Sequence, residues 1–416
     1  MAKNKGKTAG ITVDLDCLRK AVVVCGGAIG KTGVLRCLRI ESFKGAWGVT
    51  GSDGQLSVTY QWQGPTHPEW PDLVMLLDAA KLREIVDRVP GDTIDLTLDA
   101  GKVTLQTTAA KYVLPVVSGE LGVPDTLHAP SAILHSTQLR EGLRRCRPAI
   151  DQAGGARFAL GGVHVALANG LLTFSATDTR RLHQQTAKTE YTHDGDSFAG
   201  VIPERAVALA ERFLALDIDA PTEIAMSERA VQIDHGVWSL TAPLLDGRFP
   251  SSDGVFHDPA AIRRQDDLSV SAFAQLLRQV QIVTSEESRG VDLAFGADEL
   301  AATGSASDIG ECRITLPLAT QSDAPLVTIT ADPGYVRDAL SVLTPEGSVR
   351  VCLIDGDAAL QLQAGDFPPS SCPCPATDDL LTLVDDAIEC LRRWEQDVDH
   401  YRTDSTTRCC QLVPGV

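Results

Sequence analysis

The sequence predicts an α+β protein of three repeated domains, in which helices cover one face of antiparallel sheets. A Ser/Thr-Asp pair recurs at intervals of 125 and 130 residues, at Ser52-Asp53, Thr177-Asp178 and Ser307-Asp308. In a second repeat, a helix-like segment precedes a short alternating strand, and those strands start at Thr93, Thr222 and Ser348. The strand-like stretches alternate apolar and polar residues, which is the period of a half-buried sheet. Self-similarity at a fixed spacing indicates a repeated architecture.

The length and composition are those of a soluble globular protein. The chain has 416 residues, which corresponds to about three domains. Hydrophobic residues make up 44% and charged residues 22% of the chain, so bulk disorder is excluded. No apolar run reaches the roughly 18 residues of a membrane helix, and the start MAKNKGKTAG lacks the apolar core of a secretory signal. We therefore expect a cytoplasmic protein without a membrane partner.

The charge and the cysteines restrict the function further. A formal net charge of −18 argues against a protein that coats nucleic acid with its whole surface. It leaves room for a local basic lining, because the field that a ligand feels depends on where the charges sit. The 11 cysteines stand at irregular spacings, which indicates reduced thiols rather than a disulfide framework.

Each predicted domain contains two amphipathic helices. We predict the six helices at residues 15–28, 78–89, 136–150, 203–216, 271–283 and 332–343. The third helix is unusually basic for so acidic a chain, because it carries Arg140, Arg144, Arg145 and Arg147 against Glu141. The helix is either an ordinary solvated face or part of a surface that contacts phosphates without reading bases.

Domain boundaries are expected where Pro and Gly interrupt the pattern, near residues 123–130 and 254–259. They divide the chain into domain 1 at residues 1–126, domain 2 at 127–256, domain 3 at 257–366 and a C-terminal extension at 367–416. In the extension, a linker rich in Pro, Ser and Cys at 367–375 precedes an amphipathic helix predicted at 378–394.

Several short segments carry a family resemblance. ATDTRRL at residues 176–182 and LLDGRFP at 244–250 are close to the segments ATDGHRL and LVDGRFP of one bacterial family. VIPERAV, RFALGGV and SRGVDL support the match in the same order along the chain. Over residues 11–365 the chain resembles the bacterial sliding clamp, the beta subunit of DNA polymerase III.

The resemblance implies a DNA clamp fold and a head-to-tail homodimer that closes into a ring, with domain 1 of one subunit against domain 3 of the other. Helices would line the hole and sheets would form the outer wall. Such a ring holds double-stranded DNA by enclosure, independently of sequence, and tethers the replicative polymerase as a processivity factor. The implied partners are the DNA polymerase III catalytic subunit and the clamp loader, which bind through short hydrophobic motifs. No catalytic residue, cofactor or metal is implied.

The resemblance also assigns residues to three sites. The partner-peptide pocket would use Leu160, Thr177, Thr179, Arg180, Arg181, Leu182, Pro250, Val255 and Tyr335. DNA contacts would include Lys31, Gln152, Arg157 and Phe158, and the charge of the third helix adds Arg144, Arg145 and Arg147. The dimer contact would join Tyr112 and Leu114 of domain 1 to Ile282 and Val283 of domain 3.

The pocket departs from the usual family pattern at five positions. Thr179 replaces a Gly and Arg180 a His, while Ser288, Gly254 and Asp332 stand where an aromatic residue, an Arg and an Asn are common. These changes bear on which peptides bind. They motivate a second hypothesis, a divergent clamp-like interaction module that serves repair or other partners.

Three further readings of the sequence are open. Cys25–Thr32 misses a phosphate-binding loop by one glycine, which allows a nucleotide hydrolase using Gly30–Thr32. Cys372 and Cys374 with Cys409 and Cys410 could form a four-thiolate zinc site. In the tail, Val413-Pro414 could be a displaced closing segment, Gln411-Leu412 could mimic a partner peptide in the pocket, or the end of the chain could be disordered.

Overall fold

Six α-helices occur where the sequence predicts them. The computed structural model describes residues 10–65, 72–99, 101–122, 127–152, 159–192, 197–216, 220–252, 254–285, 289–318, 324–364 and 380–383. The helices are α1 (Leu15–Cys25), α2 (Ala79–Arg88), α3 (Ser136–Cys146), α4 (Glu204–Leu214), α5 (Val270–Val280) and α6 (Pro333–Ser341). None of the helices in the described ranges is long and apolar enough to cross a membrane.

Side-chain caps explain where four of these helices begin. Asp14 accepts a hydrogen bond from the backbone N–H of Cys17 at 2.8 Å, and Asp78 accepts one from Lys81 at 3.0 Å. Ser269 and Asp332 cap α5 and α6 through Ala272 and Gly334. Each cap satisfies an N–H that has no partner within its helix.

The strands fall into three successive groups, each interrupted by two helices. The first group is β1 (Gly10–Asp14), β2 (Cys37–Phe43), β3 (Ala46–Ser52), β4 (Ser57–Gln63), β5 (Asp72–Asp78), β6 (Thr93–Asp99), β7 (Lys102–Gln106) and β8 (Lys111–Pro115). The second is β9 (Ser131–His135), β10 (Gly162–Ala168), β11 (Leu171–Thr177), β12 (Arg181–Lys188), β13 (Tyr191–Thr192), β14 (Phe198–Pro203), β15 (Pro221–Met226), β16 (Ala230–His235) and β17 (Trp238–Pro243). The third is β18 (Arg264–Ser269), β19 (Val291–Phe295), β20 (Glu299–Ala306), β21 (Gly310–Pro317), β22 (Val327–Ala331), β23 (Ser348–Leu353), β24 (Leu360–Ala364) and β25 (Leu380–Leu383).

The repeated Ser/Thr-Asp pair closes a strand with the same turn at its first two occurrences. Ser52 Oγ accepts from the N–H of Gly54, and Asp53 Oδ1 accepts from that of Leu56 at 2.8 Å. In the second repeat, Thr177 Oγ1 accepts from Thr179 and Asp178 Oδ1 accepts from Arg181, both at 3.1 Å. These side chains bond the backbone two and three residues ahead, which is why this dipeptide recurs after a strand.

The chain divides into two compact units. The first comprises Met1–Glu141, Val165–Leu172 and Ala187–Leu245. It contains an antiparallel sheet of order β1-β6-β7-β8 and a nine-stranded sheet of order β13-β9-β15-β16-β17-β4-β3-β2-β5. In the larger sheet β17 pairs with β4, so that Leu240 lies opposite Val58. One sheet therefore joins strands of the predicted domains 1 and 2, and the three-domain division stays a prediction.

The second unit comprises Gly142–His164, Thr173–Thr186 and Asp246–Val416. It contains a sheet of order β21-β20-β19-β22 and the strand run β12-β25-β24-β23-β18. Its core packs α5 and α6 against these strands, with Phe273, Leu277, Phe295 and Val336 fully buried. The same packing places the first residues of β12 beside α6, where the candidate site lies.

The prediction of a helix at 378–394 is wrong for Leu380–Leu383, which form the strand β25. This strand is antiparallel to both β12 and β24, with Leu383 opposite Arg181 on one side and Leu360 on the other. Two sheet edges that need backbone partners outweigh a helical pattern in the sequence. Outside the described residues lie the rest of that segment, the linker at 367–375, Gln411-Leu412 and Val413-Pro414.

Candidate partner-binding site

Arg181 is the centre of the candidate site. It is the first residue of β12, and its side chain is only 9% exposed. Nε donates to Asp178 Oδ2 at 3.0 Å and Nη1 donates to Asp338 Oδ2 at 2.5 Å, while the guanidinium carbon lies 4.6 Å from the ring centre of Tyr335. Two carboxylates and an aromatic face therefore hold one buried cation in a fixed position.

The turn before Arg181 is strained at Thr179. Its φ of +78° lies in the left-handed region, which a β-branched residue rarely adopts. The hydrogen bonds that Thr177 and Asp178 make to the following N–H groups hold the turn in this conformation. Arg180, at the tip, is exposed and makes no ion pair within the part of the chain that the structure describes.

The apolar residues assigned to the pocket lie on two segments. Leu160 and Leu182 are buried, with 4% and 5% exposure, and Pro250 and Val255 are half-buried. The N–H of Ala159 donates to the carbonyl of Arg248 at 3.3 Å, and His164 stacks on Phe249 with ring centres 4.7 Å apart. These contacts join the segment of Leu160 to the segment of Pro250, while Arg181 is joined separately to Tyr335.

A cavity of about 400 Å³ opens beside Tyr335. Its walls are Gln281, Thr284, Ser285, Arg289, Asp332, Pro333, Gly334, Tyr335 and Asp338. Sequence reasoning found Tyr335 and Asp332 but missed Asp338. Because residues three apart lie on one helix face, the spacing from Tyr335 to Asp338 could have indicated it.

His183, two residues after Arg181, is fully buried. Its Nδ1 lies 2.9 Å from the carbonyl oxygen of Arg145, to which it donates as the neutral ring. Its Nε2 is buried without a hydrogen-bond partner among the described residues. Burial lowers the pKa of His183 to about 4, so the ring is neutral near pH 7.

The residues assigned to DNA contacts differ in how they are held. Lys31 and Gln152 are exposed, and Arg157 and Phe158 lie outside the described residues. Arg144 Nη2 donates to the carbonyl of Val342 at 2.6 Å, at the C-terminal end of α6, and Arg145 Nη1 donates to Gln185 Oε1 at 3.1 Å. Arg147 begins a short 3-10 turn that follows α3. Two of the three arginines on and after α3 are thus also packing residues, and their role toward DNA stays a prediction.

The residues assigned to the dimer contact lie at or near sheet edges. Tyr112 and Leu114 lie on β8, the last strand in its sheet, with Tyr112 37% exposed. Ile282 is 73% exposed and Val283 is half-buried, both on a 3-10 turn after α5. The dimer role of all four also stays a prediction.

The segment Cys25–Thr32 does not have the geometry of a phosphate-binding loop. Cys25 is the last residue of α1, and its buried Sγ lies 3.0 Å from the carbonyl of Val49. A phosphate-binding loop follows a strand and opens a helix, whereas the glycines here follow a helix. No group of three potential metal ligands occurs in the described ranges, and Cys372, Cys374, Cys409 and Cys410 lie outside them.

The comparisons with known proteins concern the fold that carries this site. Residues 134–251, which include the turn and strand that carry Arg181, match the family model for the central domain of the DNA polymerase III beta subunit. The crystal structure of the DNA polymerase sliding clamp from Pseudomonas aeruginosa with ligand matches 90% of this chain and 98% of that chain, with a TM-score of 0.80 and 18% identity. This chain has the fold of the bacterial sliding clamps and resembles them in its central part.

Two curated beta sliding clamps are similar to this chain in sequence. That of Chlamydia trachomatis serovar D is 29% identical over 220 residues, which are 52% of this chain and 50% of the relative. That of Chlamydia pneumoniae is 28% identical over 263 residues, 62% of this chain and 69% of the relative. The chain thus spans about half to two thirds of these clamps in sequence. The predicted clamp fold and the family resemblance are confirmed.

Proposed function

We propose that this protein is a DNA sliding clamp, a ring-shaped homodimer in the cytoplasm that encircles duplex DNA and tethers the replicative polymerase. The observation that carries the proposal is the clamp fold over 90% of the chain, matched to 98% of a solved sliding clamp. The role needs no chemistry from the protein, because an enclosing ring stays on DNA without tight binding to any one site.

Two strands that lie at the edges of their sheets support the proposal of a ring. β8 ends its sheet with all but one of its residues exposed, and β21 ends another sheet with alternating exposed and half-buried residues. Unpaired strand edges invite pairing with another chain. Different edges on the two partners make a head-to-tail interface, which closes into a ring when the rotation permits. Tyr112 and Leu114 would meet Ile282 and Val283 of the partner subunit at this junction.

DNA inside the ring would be held by phosphate contacts that do not depend on sequence. Lys31 and Gln152 are exposed, and we assign them this role together with Arg144, Arg145, Arg147, Arg157 and Phe158. Contacts between basic side chains and phosphates weaken with salt, whereas enclosure by a ring does not.

The partner site would receive short peptides from the DNA polymerase III catalytic subunit and the clamp loader. The cavity of about 400 Å³ has the aromatic wall of Tyr335 and otherwise mostly polar walls, and its volume is in the range of sites that bind short segments. Arg181, held by Asp178 and Asp338, keeps the ring of Tyr335 in place. Leu160, Leu182, Pro250 and Val255 would supply the apolar contacts.

Loading onto circular DNA tests the enclosure. Protein loaded onto a nicked circular plasmid should resist a salt wash and should be released when the circle is cut. If cutting the circle leaves the bound amount unchanged, the binding is not topological and the proposal fails.

A second candidate is a divergent clamp-like module that serves repair or other partners. Three altered pocket residues, Thr179, Arg180 and Asp332, favour it. A pull-down with a polymerase-derived peptide that carries a glutamine and a leucine distinguishes the replicative clamp from the divergent module. Capture of the intact protein favours the replicative clamp, and failure of capture by a protein that still loads onto circles favours the divergent module.

A further inference from the structure

The aspartate of the Ser/Thr-Asp turn binds an arginine at both of its first two occurrences. Asp53 and Asp178 each use Oδ1 to accept hydrogen bonds from backbone N–H groups of their own turn. Each uses Oδ2 to accept from a guanidinium, that of Arg205 at the first turn and that of Arg181 at the second. Arg205 lies on α4, and Arg181 is bonded to Asp338 on α6. An arginine therefore ties each turn to the second helix of the next strand group.

At the first turn the same arginine also reaches the loop that follows α1. Nη2 of Arg205 donates to the carbonyl of Ile29 at 3.3 Å, while Nη1 donates to Asp53. The side chain of Asp53 is only 16% exposed, and that of Arg205 is 50% exposed. Because the donors of a guanidinium form a rigid fork, one side chain that bonds both partners fixes their relative position. Arg205 thus links the loop, the turn and α4 at one point.

Two glycines bring this loop into close contact with its surroundings. A Cβ on Gly27 would lie 2.9 Å from the side chain of Leu209 on α4, and one on Gly30 would lie 2.7 Å from Leu35. The N–H of Gly30 also donates to the carbonyl of Leu35 at 2.8 Å. The glycines that resemble a phosphate-binding loop in the sequence therefore permit close packing, since a side chain at either position would displace a neighbour.

Lys31 follows Gly30 directly and is the cation that the loop presents. It is exposed and makes no ion pair within the part of the chain that the structure describes. Arg205, in contrast, is paired with Asp53, and the nearby carboxylate offsets the attraction of its charge for a phosphate. Of the two cations, Lys31 is therefore the better suited to a phosphate contact.

We infer that Arg205 is a positioning residue for the DNA contact of Lys31. Bound to both Asp53 and Ile29, it fixes the loop of residues 27–32 against α4 and so sets where Lys31 meets the DNA backbone. It acts on DNA through the place of Lys31 and not through its own charge. The inference deepens the proposed function and rests on it for the assignment of Lys31 to DNA.

The sign of one substitution separates this role from a direct contact. In D53N the amide oxygen can still close the turn, but the amide nitrogen cannot accept from Arg205. If Arg205 contacted DNA itself, D53N would free a cation, remove a negative charge and tighten DNA binding. If Arg205 positions Lys31, D53N and R205A should each weaken binding about threefold, because the loop is less preorganised. Fluorescence anisotropy of a labelled short duplex at low salt measures this on the full-length protein.

A double-mutant cycle tests the route through Lys31. K31A should weaken binding and reduce the slope of log affinity against log salt by about 1, the loss of one phosphate contact. R205A/K31A should bind as K31A does, since the loop has no cation left to position. R212A removes the same charge from the last turn of α4 and should leave the affinity nearly unchanged. Tighter binding by D53N, additive losses in the double variant, or equal losses in R205A and R212A would overturn the inference.

Hydrogen exchange without DNA measures the loop itself. Backbone amides of residues 28–32 should exchange faster in R205A and D53N than in the natural chain, and R212A should leave their rates unchanged. Unchanged exchange in R205A overturns the inference, and so does faster exchange with unchanged DNA affinity. The proposed function fails on a different result, protein that stays bound when the circle is cut, and that result leaves the coupling of Arg205 to Lys31 intact.

Discussion

Arg181 Nη1 and Asp338 Oδ2 lie 2.5 Å apart although 157 residues separate them in the sequence. The pair joins the start of β12 to α6, and the same guanidinium covers one face of Tyr335. Asp178 completes the arrangement from the preceding turn. The position of the aromatic wall of the cavity therefore depends on a side chain that is itself held by two carboxylates.

Replacement Asp338→Asn should loosen Arg181 without unfolding the protein. The carboxylate is 52% exposed, so we expect a stability loss below about 1 kcal/mol. A labelled partner peptide should bind about three- to tenfold more weakly, because the site is less preorganised. Asp357→Asn, at an exposed loop position, is the control. Unchanged peptide affinity in Asp338→Asn would mean that the pair serves only the fold.

Replacement Thr179→Gly should stabilise the protein. Glycine adopts the φ of +78° found at Thr179 without a steric penalty, and we expect a gain of about 0.5–1 kcal/mol after its entropy cost in the unfolded state. Asn169→Gly, at a φ of +52°, is the matched control. It should change stability less, because asparagine tolerates this region. Urea unfolding measures the stability of both variants. A Thr179→Gly variant that is less stable than the natural chain would contradict the backbone strain at Thr179.

The helices and most strand starts follow from local signals. Residues with a 3.6-residue apolar period and capping side chains such as Asp14 and Asp78 predict the six helices to within a few residues. α1 ends at Cys25 rather than at residue 28 because two glycines follow it. The second, Gly27, packs against Leu209 so closely that a Cβ would lie 2.9 Å from that side chain.

Local sequence patterns do not indicate contacts between residues that are far apart in the sequence. Arg181 and Tyr335 were named through the family resemblance. The helical spacing puts Asp338 on the same face as Tyr335, but no local pattern indicates that its carboxylate pairs with Arg181, 157 residues away. β25 was missed for a related reason. Leu381, Val384 and Ile388 fit a helical stripe in the sequence, yet the backbone of residues 380–383 is paired on both sides by strands distant in sequence.

Arg264 and Asp266 form a buried ion pair, so substitutions at these two positions should have strongly non-additive effects on the free energy of unfolding. Nε lies 2.6 Å from Oδ2, with exposures of 0% and 6%. Arg264→Met alone should cost about 3–5 kcal/mol, because it leaves the carboxylate buried without a partner. The double variant Arg264→Met/Asp266→Leu should cost less than the single one. Arg313→Ala breaks an exposed pair with Glu299, at 63% and 43% exposure, and should cost less than about 1 kcal/mol. Strictly additive losses at positions 264 and 266 in urea unfolding would argue against coupling.

The predicted dimer contact can be broken with charges. Tyr112 and Leu114 lie on the edge strand β8, and Tyr112→Asp with Leu114→Asp would place two carboxylates in an apolar junction. We expect a folded monomer by light scattering, since both positions are partly exposed in the single chain. Val113→Asp, on the alternate face of the same strand, is the control for the strand itself. A dimer mass that survives the double change would show that this edge is not the interface.

His183 should make stability fall in mild acid. Burial lowers its folded pKa from 6.5 to about 4, so between these values the unfolded chain binds a proton that the folded chain does not. Stability is therefore fully present above pH 6.5 and is lost progressively down to pH 4, by about 3 kcal/mol in total. His183→Asn, whose amide can donate to the carbonyl of Arg145, should flatten this part of the curve. His128→Asn, at an exposed position, should leave it unchanged. Urea unfolding midpoints measured from pH 7.5 to pH 4 test how stability depends on pH. If stability falls equally with pH in the His183 variant and in the natural chain, this histidine is not the cause of the fall.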